Sequence, residues 1–169
     1  MMTIPVSKTL SDDEVRLLLQ DEIKWDFIGN ESEFESHILE HIDDLLDGMS
    51  LPPKRVVLRQ KQFRFDNTQI IIDLLVQHTD RSITIFEVKK KSDRNPHTSP
   101  SLQVGAIGQL MLYKTIVGGI YDPNVRLVLI DNKIHFRTYL TIKTNNLPIA
   151  LVEFQKDFVL VSHIPDQWR

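Results

Sequence analysis

Three runs rich in Val, Ile and Phe follow one another in the middle of this chain: Arg55 to Phe65, Gln69 to His78 and Ser82 to Lys91. Only Asp66-Asn67-Thr68 and Thr79-Asp80-Arg81 separate them. Asp, Asn and Thr favour turns, and connectors this short join antiparallel neighbours, since a parallel return needs a crossover of roughly a dozen residues or more. The spacing therefore predicts an antiparallel meander. Two helices precede it. Ser11-Asp12-Asp13-Glu14 reads as a capping box opening a helix to about Phe27, and Asn30-Glu31-Ser32-Glu33 opens a second to about Asp47, stopped by Gly48 and Pro52-Pro53. A polar loop from Ser92 to Pro100 leads into a helix from Ser101 to about Val117, ended by Gly118-Gly119. Val125 to Ile130, Ile134 to Ile142 and Ile149 to Ser162 read as three further strands. The predicted order is ααβββαβββ, an α/β sheet with helices packed on it.

At 169 residues the chain fits one domain, 1–169, able to bury a core without disulfides. It has no cysteine, which excludes disulfides and thiolate metal sites and is compatible with the cytoplasm. No apolar stretch reaches the roughly 18 residues of a membrane span, and the start, Met1-Met2-Thr3-Ile4-Pro5-Val6, lacks the features of a secretory signal. A soluble, cytoplasmic protein with no membrane partner is expected. The net charge of −3 argues against a generally cationic nucleic-acid binder, so any such contact must come from a local basic patch.

The second strand carries an acid where an acid is costly. In Ile70-Ile71-Ile72-Asp73-Leu74-Leu75-Val76, Asp73 interrupts an apolar run, and a strand does not bury a carboxylate without a partner. The third strand offers Phe86-Glu87-Val88-Lys89, with Glu87 and Lys89 on one face by alternation. A turn centred on Asp80 sets Asp73 opposite Glu87, and one centred on Arg81 sets it opposite Lys89. An even-numbered loop would send Asp73 to the far face unless a bulge intervened. On a shared face the two carboxylates repel unless a cation lies between them, and oxygen ligands suit Mg²⁺ or Mn²⁺. Lys89 would orient an attacking water and stabilise charge developing on a phosphate.

Asp73 with Glu87-Val88-Lys89 resembles the D…(D/E)xK signature of the PD-(D/E)xK nuclease superfamily, which includes restriction enzymes, Mrr-type endonucleases, phage and RecB-like exonucleases and mismatch endonucleases. The order helix, three strands, helix, strand is similar to the αβββαβ core of that restriction-endonuclease-like fold. Ile72 stands where the eponymous Pro would be. The resemblance covers about 31–130, leaving 1–30 as an N-terminal helix extension and 131–169 as a C-terminal strand extension. It implies a metal-dependent nuclease acting on nucleic acid, with DNA the expected substrate. Asp73, Glu87 and the Val88 carbonyl would hold Mg²⁺ or Mn²⁺, and Lys89 would assist catalysis. Phe34-Glu35 stands where many members carry a Phe-Glu pair before the meander. On a helical wheel Phe34, Ile38, Ile42, Leu45 and Met49 share an arc of about 80°, and Glu35 lies about 20° past its edge, facing inward. Glu35 either completes the pocket or simply closes a capping box from Ser32. Gln109-Leu110-Met111-Leu112-Tyr113 is similar to the QxxxY element of the exonucleases. Gln109 and Tyr113 share a helical face with Leu102 and Ala106, so both should pack toward the sheet, with Gly105 and Gly108 permitting close approach; the alternative is an ordinary core pair. The resemblance would place Gln109 by the metal and Tyr113 near substrate phosphate. Lys90, Lys91 and Arg94, with Arg59 and Lys61 (and Arg64 further on), are candidates for a phosphate-binding groove or for a solvated face. With no recognition domain evident, a homodimer or a partner subunit would select the substrate. Without an ATP-binding loop, cleavage is expected to be ATP-independent.

A rival motif is present. His37-Ile38-Leu39-Glu40-His41 fits H-x-x-E-H, the inverzincin zinc-protease pattern, with both His on one helical face. That chemistry needs a further acidic ligand from a later helix, and Ser101 to Val117 contains no Asp or Glu. A nuclease fold that binds without cutting is the other alternative, against which the retention of both acids and the lysine counts. His78, His97, His135 and His163 show no ligand spacing, and Trp25 and Trp168 read as packing or tail residues.

Overall fold

Both capping boxes form in the structure, a computed structural model that describes residues 11–20, 29–90, 100–120, 124–156 and 159–168. The Glu14 N–H donates to Ser11 Oγ at 3.2 Å and the Ser11 N–H donates to Glu14 Oε2 at 2.7 Å, opening α1 (Asp12–Gln20). Asn30 and Glu33 exchange the same two bonds, each 2.8 Å long, opening α2 (Glu31–Glu40). Each box satisfies two donors that a helix start would leave orphaned. The continuation of α1 expected to Phe27 lies outside the described residues, as do Trp25 and His97. The expected second helix is interrupted. His41, at φ −112° and ψ 17°, closes α2, and α3 (Ile42–Gly48) follows at once. Phe34, Ile38, Ile42, Leu45 and Met49 nevertheless all bury on one side, as their shared arc requires.

The meander forms as β1 (Lys54–Phe65), β2 (Thr68–His78) and β3 (Ile83–Lys89). Then come α4 (Pro100–Ile120), β4 (Val125–Asp131), α5 (Phe136–Thr144), β5 (Ile149–Phe154), β6 (Val159–His163) and a 3₁₀ turn, Asp166–Trp168. One six-stranded sheet runs in the order β1-β2-β3-β4-β5-β6. The first three strands are antiparallel, β3-β4 and β4-β5 are parallel, and β5-β6 is antiparallel. The sheet continues past the expected core through the C-terminal strands.

Three sequence expectations fail here. The run from Ile134 to Ile142 is not a strand but enters α5 at Phe136: parallel neighbours β4 and β5 need a crossover, and Thr138, Tyr139 and Ile142 bury with helical spacing. Ile149 to Ser162 is a hairpin rather than one strand. Helix α4 runs through Gly118 and Gly119 to Ile120. Each helical glycine costs about 1 kcal/mol relative to alanine, and Ile120 beyond them is exposed, so this last turn is the weakest of α4.

Two apolar layers result. Helices α1, α4 and α5 cover one face of the sheet over Ile72, Ile85, Leu127, Leu129 and Leu151. Helices α2 and α3 cover the other over Leu74, Phe86, Val128, Ile130 and Val152. Phe34 meets Phe154 there edge to face, ring centroids 6.1 Å apart. Trp168 packs against the margin of this layer. Among the described residues no helix is long and apolar enough to cross a membrane.

The turn between β2 and β3 fixes what the site needs. The pairs Leu74↔Phe86, Val76↔Thr84 and Gln77↔Ile83, closed by the His78 N–H on Ser82 O, are centred on Asp80. The three-residue connection Thr79-Asp80-Arg81 ends with Arg81 at φ 72°, the left-handed residue such loops require. Asp73 is thereby brought level with Glu87.

Candidate active site

Strands β2 and β3 part beyond Leu74↔Phe86, which exposes backbone donors along the edge of β3. Carboxylates take them. Asp73 Oδ2 accepts from the Val88 N–H at 2.9 Å, and the Glu31 carboxylate accepts from the Lys90 N–H. Backbone donors at such a fork must find partners, and here they draw two acids alongside Glu87 and Lys89. Lys89 Nζ stands 2.9 Å from Glu87 Oε1.

On the other side of Asp73, Gln60 of β1 adopts φ 52°. A left-handed, non-glycine residue inside a strand costs about 1 kcal/mol or more, and this one lies within the cluster. Its side-chain amide donates to Asp73 Oδ1 at 3.2 Å and to Glu35 Oε2 at 3.1 Å. Glu35 is buried and also receives Arg59 Nε at 2.7 Å. Thus Gln60 links the helix acid to the strand acid.

The charges strain against one another. Burial, reinforced by Asp73 and opposed by Lys89, pushes the Glu87 carboxyl up to about 7. Burial also works against the Lys89 ammonium, yet Glu87, Asp73 and Glu31 outweigh it and hold the amine above the usual lysine range. Glu31 is raised by desolvation and by Asp73, against the pull of Lys89. Tyr113, buried on α4, donates to Ile71 O at 3.1 Å, and its phenol is pushed up to about 12 by burial and by Glu87 and Asp73.

Asp73, Glu87, Lys89, Glu35 and Tyr113 of the sequence-predicted set therefore come together, and Val88 contributes its N–H to Asp73. Glu35 does not cap α2, since Asn30 and Glu33 perform that role. Gln109 departs from expectation. It is exposed, as is Leu102, because the buried face of α4 follows Gln103, Ala106, Leu110, Tyr113 and Val117 instead. Gly105 and Gly108 mediate no close approach: a Cβ at either would meet nothing within 4 Å. Arg59 is committed to α2, donating also to Ser32 O and Ser36 Oγ, which removes it from a phosphate groove. Lys61 and Lys90 are half-buried, with the Lys61 ammonium 5.6 Å from the Phe63 ring centroid. Lys91 and Arg94 lie outside the described residues. Glu31 and Gln60 were missed. Glu31 precedes Glu35 by one helical turn, a signal the sequence did carry; nothing in sequence marks Gln60. For the protease motif, neither α4 nor α5 contains an Asp or Glu that could serve as the further ligand.

The residues fit a small divalent cation. Glu87 Oε2 is buried with no hydrogen-bond partner, a costly state for a carboxylate oxygen unless a cation accompanies it. With Asp73 alongside, the donor set is all oxygen.

No family model matches the chain, and no curated protein matches it in sequence. Solved structures do match. A repair endonuclease from Pyrococcus abyssi is similar at 18% identity and a TM-score of 0.52, over 77% of this chain and 49% of that one. Can2 from Sulfobacillus thermosulfidooxidans, in complex with cyclic tetra-adenylate, is similar at 9% identity and a TM-score of 0.51, over 73% of this chain and 32% of that one. This chain spans about half the length of the first and a third of the second. The six-stranded mixed sheet flanked by helices matches the restriction-endonuclease-like fold.

Proposed function

We propose that this chain is a metal-dependent nuclease that hydrolyses phosphodiester bonds, with DNA as its substrate. The observation that carries the reading is the orphaned, buried Glu87 Oε2 beside Asp73 at the β2–β3 fork, with the Lys89 ammonium 2.9 Å from the other Glu87 oxygen. Asp73, Glu87 and the Val88 carbonyl would hold Mg²⁺ or Mn²⁺, which when bound supplies a Lewis acid for the phosphate and an acidified water. Lys89, kept protonated by the surrounding acids, would face the phosphate and stabilise its developing charge. Glu35 and Gln60 hold Asp73 in place, and Tyr113 closes the α4 side. Lys61, Arg64 and Lys90 would meet the nucleic-acid backbone. Selection of a target would fall to a second copy or to a partner subunit.

The test is to incubate wild type and Lys89→Ala with plasmid, linear and single-stranded DNA in Mg²⁺, Mn²⁺ or chelator. Metal-dependent cutting that falls about 100-fold or more in the variant supports the reading. Cutting that survives unchanged in the variant overturns this mechanism, and DNA binding without any cutting in wild type replaces the reading with that of a binding module.

A further inference from the structure

The break between α2 and α3 gathers a second set of ligands away from the acids. His41 leaves helical geometry there, and the His37 and His41 rings meet edge to face at 4.9 Å. One ligand atom from each of His37, Glu40 and His41 lies within 4.8 Å of the others. Among the described residues this is the one group of three such side chains so close together.

The surroundings orient the first imidazole. His37 Nε2 stands 2.9 Å from Lys156 O, in the connection between β5 and β6. A carbonyl only accepts, so Nε2 carries the hydrogen, and in the neutral ring the lone pair is on Nδ1. That Nδ1 faces Glu40 Oε2 at 4.0 Å. A histidine that donates one ring N–H to a backbone carbonyl and presents the other nitrogen is the usual arrangement of a metal ligand. Buried Phe154 backs both rings, at 5.5 and 6.5 Å. Glu40, whose side chain is 73% exposed, is free to swing inward. Tetrahedral zinc ligands stand about 3.4 Å apart, so the set needs to contract by roughly 1.5 Å.

We propose that His37, Glu40 and His41 bind one zinc-class transition-metal ion, with the fourth position left to water, tying the α2–α3 break to the β5–β6 connection. Two imidazoles and a carboxylate select Zn²⁺ or Co²⁺ over Mg²⁺, so this site and the acidic one differ in metal as well as place. Its role is to brace α2, which carries Glu31 and Glu35. The site does not require the nuclease reading.

Co²⁺ is the probe. Titrated into the metal-free protein with Mg²⁺ in excess, it should give one equivalent of the intense visible absorption of a four-coordinate ion. Glu40→Ala, an exposed change that leaves the fold intact, should weaken binding by about 10-fold or more, and His41→Gln should remove the band. The band should persist in Asp73→Asn/Glu87→Gln. The proposal is overturned by no stoichiometric band in wild type, by a Glu40→Ala effect smaller than 10-fold, or by loss of the band in the acid-site variant.

Discussion

Glu87→Gln should make the metal-free protein more stable while removing its chemistry. The folded Glu87 carboxyl holds its proton up to about pH 7, against 4.5 in the ordinary state. The sign follows from proton counts. Below about pH 4.5 both states are protonated and the contribution is full; above that the unfolded chain binds fewer protons than the native one, so stability falls with pH. The loss is about 1.4 kcal/mol per unit and is complete above pH 7, at about 3 kcal/mol. Part of this belongs to the coupled pair with Asp73 rather than to Glu87 alone.

Glutamine keeps the shape and carries no charge, so it removes that penalty. It also gives up the 2.9 Å contact with Lys89, whose ammonium then relies on Asp73 and Glu31. A net gain of about 2 kcal/mol is expected near pH 8 in chelator, shrinking toward zero near pH 5. Urea unfolding followed by circular dichroism measures both. Added Mg²⁺ should then stabilise wild type with the logarithm of its concentration and leave the variant unmoved. A wild type that equals or exceeds the variant at pH 8, or a gap that ignores pH, refutes the assignment of Glu87 as a strained, cation-seeking acid.

Arg59→Ala should cost about 2 kcal/mol, because buried Glu35 loses its cation while the one-third exposure of Arg59 moderates the loss. Glu35→Gln in that background should recover most of it, and additive effects in the four-member cycle would show that the pair is not coupled. His78, fully buried, donates from Nδ1 to Pro52 O and accepts at Nε2 from Thr84 Oγ1, each at 2.7 Å, and burial lowers its pKa below 6.5. Its contribution is therefore present above about pH 6.5 and lost as pH falls. Measured in Glu87→Gln to remove the opposing trend, stability should drop on acidification from pH 7 to 5.5. His78→Asn should flatten that slope, and an unchanged slope would place the titration elsewhere.

The meander was legible because its turn residues and its strand-forming side chains agree, and with it the register, since three residues between strands leave few ways to pair them. The C-terminal half was not. Phe136, Thr138, Tyr139, Thr141 and Ile142 have the composition of a strand and form α5, because β4 and β5 run parallel and their connection must cross the sheet. Strand direction is a tertiary fact that no local window contains. The glycines of α4 misled differently: local propensity would end the helix at Gly118, yet it runs on to an exposed Ile120.

Within the site, the residues visible in sequence were those that violate a local rule. Asp73 is conspicuous in an apolar strand, and Glu87 and Lys89 follow from alternation. Glu31 and Gln60 violate nothing until the strands separate, when the Lys90 N–H needs an acceptor and Gln60 must turn to φ 52° to reach Asp73 and Glu35. The fork also explains how a strand tolerates Asp73 at all, since its carboxylate accepts the Val88 N–H that the departing backbone no longer can. Asp73 therefore has a structural duty besides any catalytic one. Removing it by Asp73→Ala strands a backbone donor, so lost activity in that variant would not by itself identify a metal ligand. Lys89 projects from the last residue of β3 with a quarter of its side chain exposed, and its loss leaves the Asp73 contact to Val88 in place. For that reason the lysine, rather than the more conspicuous aspartate, separates chemistry from folding.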